Sequence, residues 1–156
     1  FWKFVFSIGG RLAFGFENHF RRLPYSERFF VGGIDTVRGY RYYGLGPERV
    51  ALYNPFDPSS PTVSIHMGGN KMLLFNAELL FPLIEEAGIK WVFFFDAGQA
   101  YKEEEPIDFS KIRMGWGFGI RWFTPIAPFR FEWGFPINPR PGEDRMVFEF
   151  TIGTFF

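Results

Sequence analysis

The run Lys111-Ile-Arg-Met-Gly-Trp-Gly-Phe-Gly-Ile-Arg-Trp-Phe123 (KIRMGWGFGIRWF, residues 111–123) decides the fold, because it splits by parity. Ile112, Met114, Trp116, Phe118, Ile120 and Trp122 fall on one side. Lys111, Arg113, Gly115, Gly117, Gly119 and Arg121 fall on the other. Neighbouring side chains of a β-strand point to opposite faces, so this is a strand with one large apolar face and one small or charged face.

The same split recurs along the chain. In residues 2–17 the even positions Trp2, Phe4, Phe6, Ile8, Leu12, Phe14 and Phe16 oppose Lys3, Ser7, Gly9, Arg11 and Glu17. Phe129, Phe131, Trp133, Phe135 and Ile137 oppose Arg130, Glu132, Gly134 and Pro136. In the final run Met146, Phe148, Phe150, Ile152 and Phe156 oppose Arg145, Glu149, Thr151 and Gly153. Residues 71–82 and 88–101 alternate more loosely. Six strands result, most reaching the ~9–11 residues that a tilted strand needs to cross a bilayer.

Aromatics make up 22% of the 156 residues, 24 of them Phe, while another 22% are charged. A soluble sandwich, the rival reading of the same periodicity, uses shorter strands and large aliphatics on its buried face. An aromatic face opposed by glycine and charge suits a transmembrane antiparallel β-barrel, with lipid outside and a polar lumen within. Trp2, Trp91, Tyr101 and Trp122 lie near strand ends, where aromatic girdles meet headgroups. The connections alternate between long (18–70), short (83–88), medium (102–110), short (124–127) and medium (138–144). Short turns are periplasmic and longer loops extracellular in such barrels, so 18–70 reads as extracellular and Phe156 as periplasmic.

Six strands cannot close a barrel, which takes at least eight. Open edges in lipid leave unpaired backbone groups at several kcal/mol each. The missing strands must come from the remainder of the barrel or from other copies of the chain. The chain also opens at Phe1 in mid-strand, which reads as a piece of something longer.

Lys plus Arg and Asp plus Glu both number 17, which argues against nucleic acid as a partner. With no cysteine, thiolate metal sites and cysteine nucleophiles are excluded. No G-x-S-x-G, H-E-x-x-H or P-loop pattern occurs, and His19 and His66 have no second ligand at metal spacing. The expectation is a protein that is not an enzyme and needs no cofactor or metal.

The long loop holds GGIDTVRGYRYYGLG (residues 32–46), glycine-punctuated with arginines among tyrosines. Together with GGNKMLLFNAELLFPL, FFFDAGQAY and the terminal FTIGTFF, it resembles the C-terminal part of the Omp85 superfamily, over all 156 residues. The resemblance is greatest to its members that assemble outer-membrane proteins. It rests most on Val37-Arg38-Gly39-Tyr40, the family's V-R-G-[FY] motif.

The resemblance implies a sixteen-stranded barrel in the bacterial outer membrane, with this chain as the last six strands and 18–70 as a loop folded back into the lumen. It implies acidic partners for Arg38 on the inner wall, matched by Glu78 and by Asp96 within an F-x-D-x-G pattern that includes Gly98. The parity of residues 90–98 independently turns Asp96 away from lipid, and a guanidinium fork gripping a carboxylate suits a confined lumen. The resemblance also implies a weakly zipped seam at the last strand (Phe148, Phe150, Gly153), where client strands pair. Phe156 matches the C-terminal aromatic of an assembly signal. Membrane lipid, client β-barrel proteins and accessory assembly lipoproteins are the implied partners. A translocation or two-partner secretion pore of the same superfamily is the alternative function.

Overall fold

Alternation at period two builds eight strands in the computed structural model, which describes residues 3–16 and 23–153. In chain order they are β1 (Val5–Phe14), β2 (Glu48–Leu52), β3 (Thr62–His66), β4 (Lys71–Ile84), β5 (Ile89–Tyr101), β6 (Arg113–Phe123), β7 (Pro128–Pro136) and β8 (Val147–Ile152). Six of them form one sheet in the order β1-β4-β5-β6-β7-β8, every neighbour antiparallel. The sequence readings for Trp2, His19 and Phe156 lie outside the described residues.

The β2–β3 hairpin was not foreseen. The long loop, read without strands of its own, carries a two-stranded sheet, in register from Glu48↔His66 to Leu52↔Thr62. Its physical basis is the short alternating run Thr-Val-Ser-Ile-His. Asn54, Asp57 and Ser60 then hydrogen-bond back to the backbone to close the tip.

The aromatic face points outward in stacked ranks. Phe118 meets Trp133 at 5.6 Å, Trp116 meets Phe135 at 5.0 Å, and Phe131 meets Phe150 at 5.0 Å between ring centroids. These cross-strand pairs fix register, yet Trp116 remains 47% exposed and Phe148 49%. So broad an apolar surface on an antiparallel sheet is a lipid-facing surface.

The inner face departs from the expected polar lumen. Val31, Val37, Tyr40 and Leu45 of the long loop pack on Met72, Leu74 and Ala100 of β4 and β5 in one buried cluster. The loose alternation of β4 has its cause here, because its inward Met72 and Leu74 are covered by the loop rather than wetted. β1 and β8 are the edges of the sheet, and they do not pair with each other among the described residues. The fold is therefore an all-β, antiparallel arc of a barrel wall with a loop pressed on its inside.

Candidate functional site

The loop presents its motif through a tight turn closed at its base. Val31 and Leu45 form a β-bridge, Gly32 N–H donates to Thr36 Oγ1 at 2.8 Å, and Gly33 N–H donates to the Val37 carbonyl at 3.1 Å. This folding delivers Val37, Arg38, Gly39 and Tyr40 onto the inner wall. Val37 enters the apolar cluster, and the Tyr40 hydroxyl donates to the Met114 carbonyl at 2.8 Å.

Arg38 is 2% exposed and donates four side-chain hydrogen bonds. Its Nε and Nη2 donate to Asp96 Oδ2 and Oδ1 at 2.6 and 2.7 Å, and its backbone N–H donates to Oδ2 at 3.1 Å. Nη1 donates to Glu78 Oε1 at 2.6 Å and to Glu132 Oε2 at 3.1 Å. The guanidinium carbon lies 3.7 Å from the centroid of the Phe94 ring, a cation–π contact in a dry setting. Burial alone pulls the Arg38 pKa down, but the Asp96 hydrogen bond and the charges of Glu132, Asp96 and Glu78 outweigh it and raise it above its ordinary value.

Two wall arginines complete the network. Arg121 donates to Glu78 Oε1 at 2.6 Å and to Glu132 Oε1 at 3.0 Å. Arg130 donates to Glu132 Oε1 at 2.7 Å and to the Ile34 carbonyl at 3.1 Å. Asn76 gives one amide group to both the Thr36 carbonyl and Asp96 Oδ1, at 2.7 and 2.8 Å. Three guanidinium groups and three carboxylates thus interlock with no net charge, the condition under which buried ions can be tolerated.

Glycines let the loop lie this close. Gly39 has φ +91°, and a Cβ there would come within 3.0 Å of the Phe135 backbone. A Cβ on Gly134 would run into the backbone of Gly39, and one on Gly115 into the Arg38 carbonyl. Gly115 and Gly134 of the wall, expected only as small lumenal residues, are thus the seat of the loop.

The structure brings Glu78 and Asp96 to Arg38 and gives Gly98 another neighbour. A Cβ on Gly98 would lie 2.5 Å from Leu74 Cδ2 and 2.9 Å from Val37 Cγ2, so this glycine makes room for the leucine and the valine and not for the arginine. Phe148 and Phe150 stay on the outer face, 5.1 Å from Trp133 and 5.0 Å from Phe131. Gly153 has φ +131° with open space where a Cβ would project, and the β7–β8 ladder stops one residue before it.

Sequence reasoning did not single out Glu132, Arg121, Arg130 or Asn76, and it read Phe94 only as the first residue of the F-x-D-x-G pattern. Parity had placed Arg121, Arg130 and Glu132 on the wet face. Their convergence depends on strand register, Glu78↔Phe94 and Gly119↔Glu132, which alternation does not contain. Among the described residues no group of three or more His, Cys, Asp or Glu is placed to hold a metal ion.

Comparison with known proteins follows the same lines. The family model for the Omp85 superfamily domain matches residues 1–156. The outer membrane protein assembly factor BamA of Nitratidesulfovibrio vulgaris is 33% identical over 143 residues, which cover 90% of this chain and 17% of that protein. BamA of Neisseria meningitidis is 26% identical over 181 residues, covering 98% and 22%. The crystal structure of BamA from Haemophilus ducreyi lacking POTRA domains 1–3 superposes with a TM-score of 0.75 at 22% identity. It covers 98% of this chain and 32% of that one. The chain thus spans about a fifth of the length of the curated relatives it matches.

Proposed function

The chain belongs to the Omp85 superfamily, and from that premise we propose that it forms the last six strands of a sixteen-stranded, BamA-type barrel that inserts β-barrel proteins into the bacterial outer membrane. The observation that carries this reading is the seating of Arg38. A loop that is tied by one guanidinium to β4, β5 and β7 holds this side of the wall in a fixed shape. Strand exchange then concentrates where the wall is weakest, at the edge of β8.

Among the described residues β8 supports that role by its length, six residues against nine or more in the other five strands of the sheet. A client strand can add to such an edge through main-chain hydrogen bonds, so the work needs no bond-making chemistry, nucleotide or metal. Membrane lipid, client β-barrel proteins, accessory assembly lipoproteins and the remaining barrel strands are the partners of this reading. Phe156 belongs to the protein's own assembly signal in the same proposal.

The test is reconstitution of the full-length protein into lipid vesicles, followed by the folding rate of an added, urea-unfolded outer-membrane protein. Faster folding than in empty vesicles, with the gain reduced by Arg38→Ala, is the expected result. Equal rates in empty and loaded vesicles would overturn the proposal.

A further inference from the structure

The inner face of β8 carries Val147, Glu149 and Thr151, so Glu149 is its one charged group. Glu149 stands directly across from Glu132 in the β7–β8 register. Like charges in that position repel. Glu132 is already held by Arg38, Arg121 and Arg130, whose charges are balanced by Glu78, Asp96 and Glu132 itself. Glu149 and Asp35, the latter exposed and 3.9 Å from Arg130, are thus carboxylates beyond a network that is neutral without them, and Glu149 shares the field of Arg130 and Arg38 with Glu132. The backbone N–H of Ile34 faces it, yet its Oε2 is buried with no hydrogen-bond partner among the described residues.

Among the described residues, the flank of Glu149 away from Glu132 is an unpaired edge of β8. A strand added there places one inward side chain beside Glu149, others beside Val147 and Thr151, and its outward side chains beside Phe148 and Phe150. We propose that Glu149 selects the strand that docks on this edge, a client strand with lysine or arginine at the lumenal position facing Glu149 and apolar residues toward lipid. The inference rests on the insertase reading and adds a chemical criterion to it. A cation there offsets the repulsion between Glu149 and Glu132, whereas a carboxylate leaves two like charges flanking Glu149.

The experiment uses the full-length protein in lipid nanodiscs. The probes are two fluorescent eleven-residue strand peptides that differ only in Lys or Glu at the position facing Glu149. Each carries a photo-crosslinker on its apolar face. Wild type is expected to bind the lysine peptide roughly tenfold more tightly and to crosslink it at residues 148–150. Glu149→Gln should erase most of that preference and Glu149→Lys should reverse it. Equal affinity of the wild type for both peptides, or a preference that survives Glu149→Lys, overturns the selection role and leaves the strand-accepting edge standing. Failure of both peptides to bind overturns the selection role and the strand-accepting edge together, since the protein's own strand then closes the edge.

Discussion

Arg38 and Asp96 stand 58 positions apart in the chain and share three hydrogen bonds, two from the guanidinium fork and one from the Arg38 backbone N–H. The third bond ties the loop's main chain, not only its longest side chain, to the wall. A buried ion pair adds little net stability compared with an apolar contact of equal volume, but breaking one is costly. Such a pair suits a part that must occupy one position and no other.

Arg38→Lys keeps the charge and loses the fork, because an ammonium cannot match both Asp96 oxygens while reaching Glu78 and Glu132. We expect cleavage within residues 29–46 by added protease to become measurable in the lysine variant and faster still in Arg38→Ala. The global barrel, judged by heat-modifiable gel mobility, should persist in both.

Gly134→Ala should unseat the loop although it touches no charged group, since its Cβ would enter the space of the Gly39 backbone. Gly9→Ala, also on the inner face, has nothing within 4 Å of its Cβ and serves as the control. Loop amide exchange should rise by at least about tenfold in the first, and stability should stay within about 0.5 kcal/mol in the second.

Glu132→Gln removes the carboxylate shared by Arg38, Arg121 and Arg130 and leaves their charge in excess. A loss of about 3–5 kcal/mol is expected from unfolding in denaturant. Glu149→Gln, which relieves the facing pair of carboxylates, should be neutral or slightly stabilising in the same measurement.

At the outer rim Arg41 donates to Asp144 at 2.6 Å, and that hydrogen bond, with the charge behind it, holds the Asp144 carboxyl below its ordinary value. The tie is complete above the ordinary aspartate pKa of about 4 and is lost as pH falls through the lowered value. Carboxyl NMR of Asp144 should show this titration move up toward the ordinary value in Arg41→Ala. Both groups are solvent-exposed, so the thermal unfolding temperature should not change.

The described tryptophans, Trp91, Trp116, Trp122 and Trp133, all lie on the outward face, where each makes a ring contact across strands. Brominated lipids should quench their fluorescence strongly, and aqueous iodide weakly. The reverse pattern would place the aromatic face in water or in a dry core.

Parity made the wall legible. From Phe118 and Gly117 alone it follows which side meets lipid, because the chemistry of the two solvents is written into alternate residues. The acidic partners of Arg38 were legible through a motif resemblance, and Asp96 also through its own alternation. The hairpin of β2 and β3 was not, since five-residue strands leave too short a pattern to stand out in a loop. Nor was the role of Glu132, whose three arginines come from the loop, from β6 and from its own strand. Only register and the seating of the loop bring them together.

The most direct measurement of the central claim is a double-mutant cycle between Arg38→Ala and Asp96→Ala in the full-length protein, read by amide exchange of residues 31–45. If the arginine–aspartate contact holds the loop to the wall, each single change should abolish most of the protection. The double variant should then lose little more than either single one. Wild-type protection in Arg38→Ala, or losses that simply add in the double variant, would contradict the account.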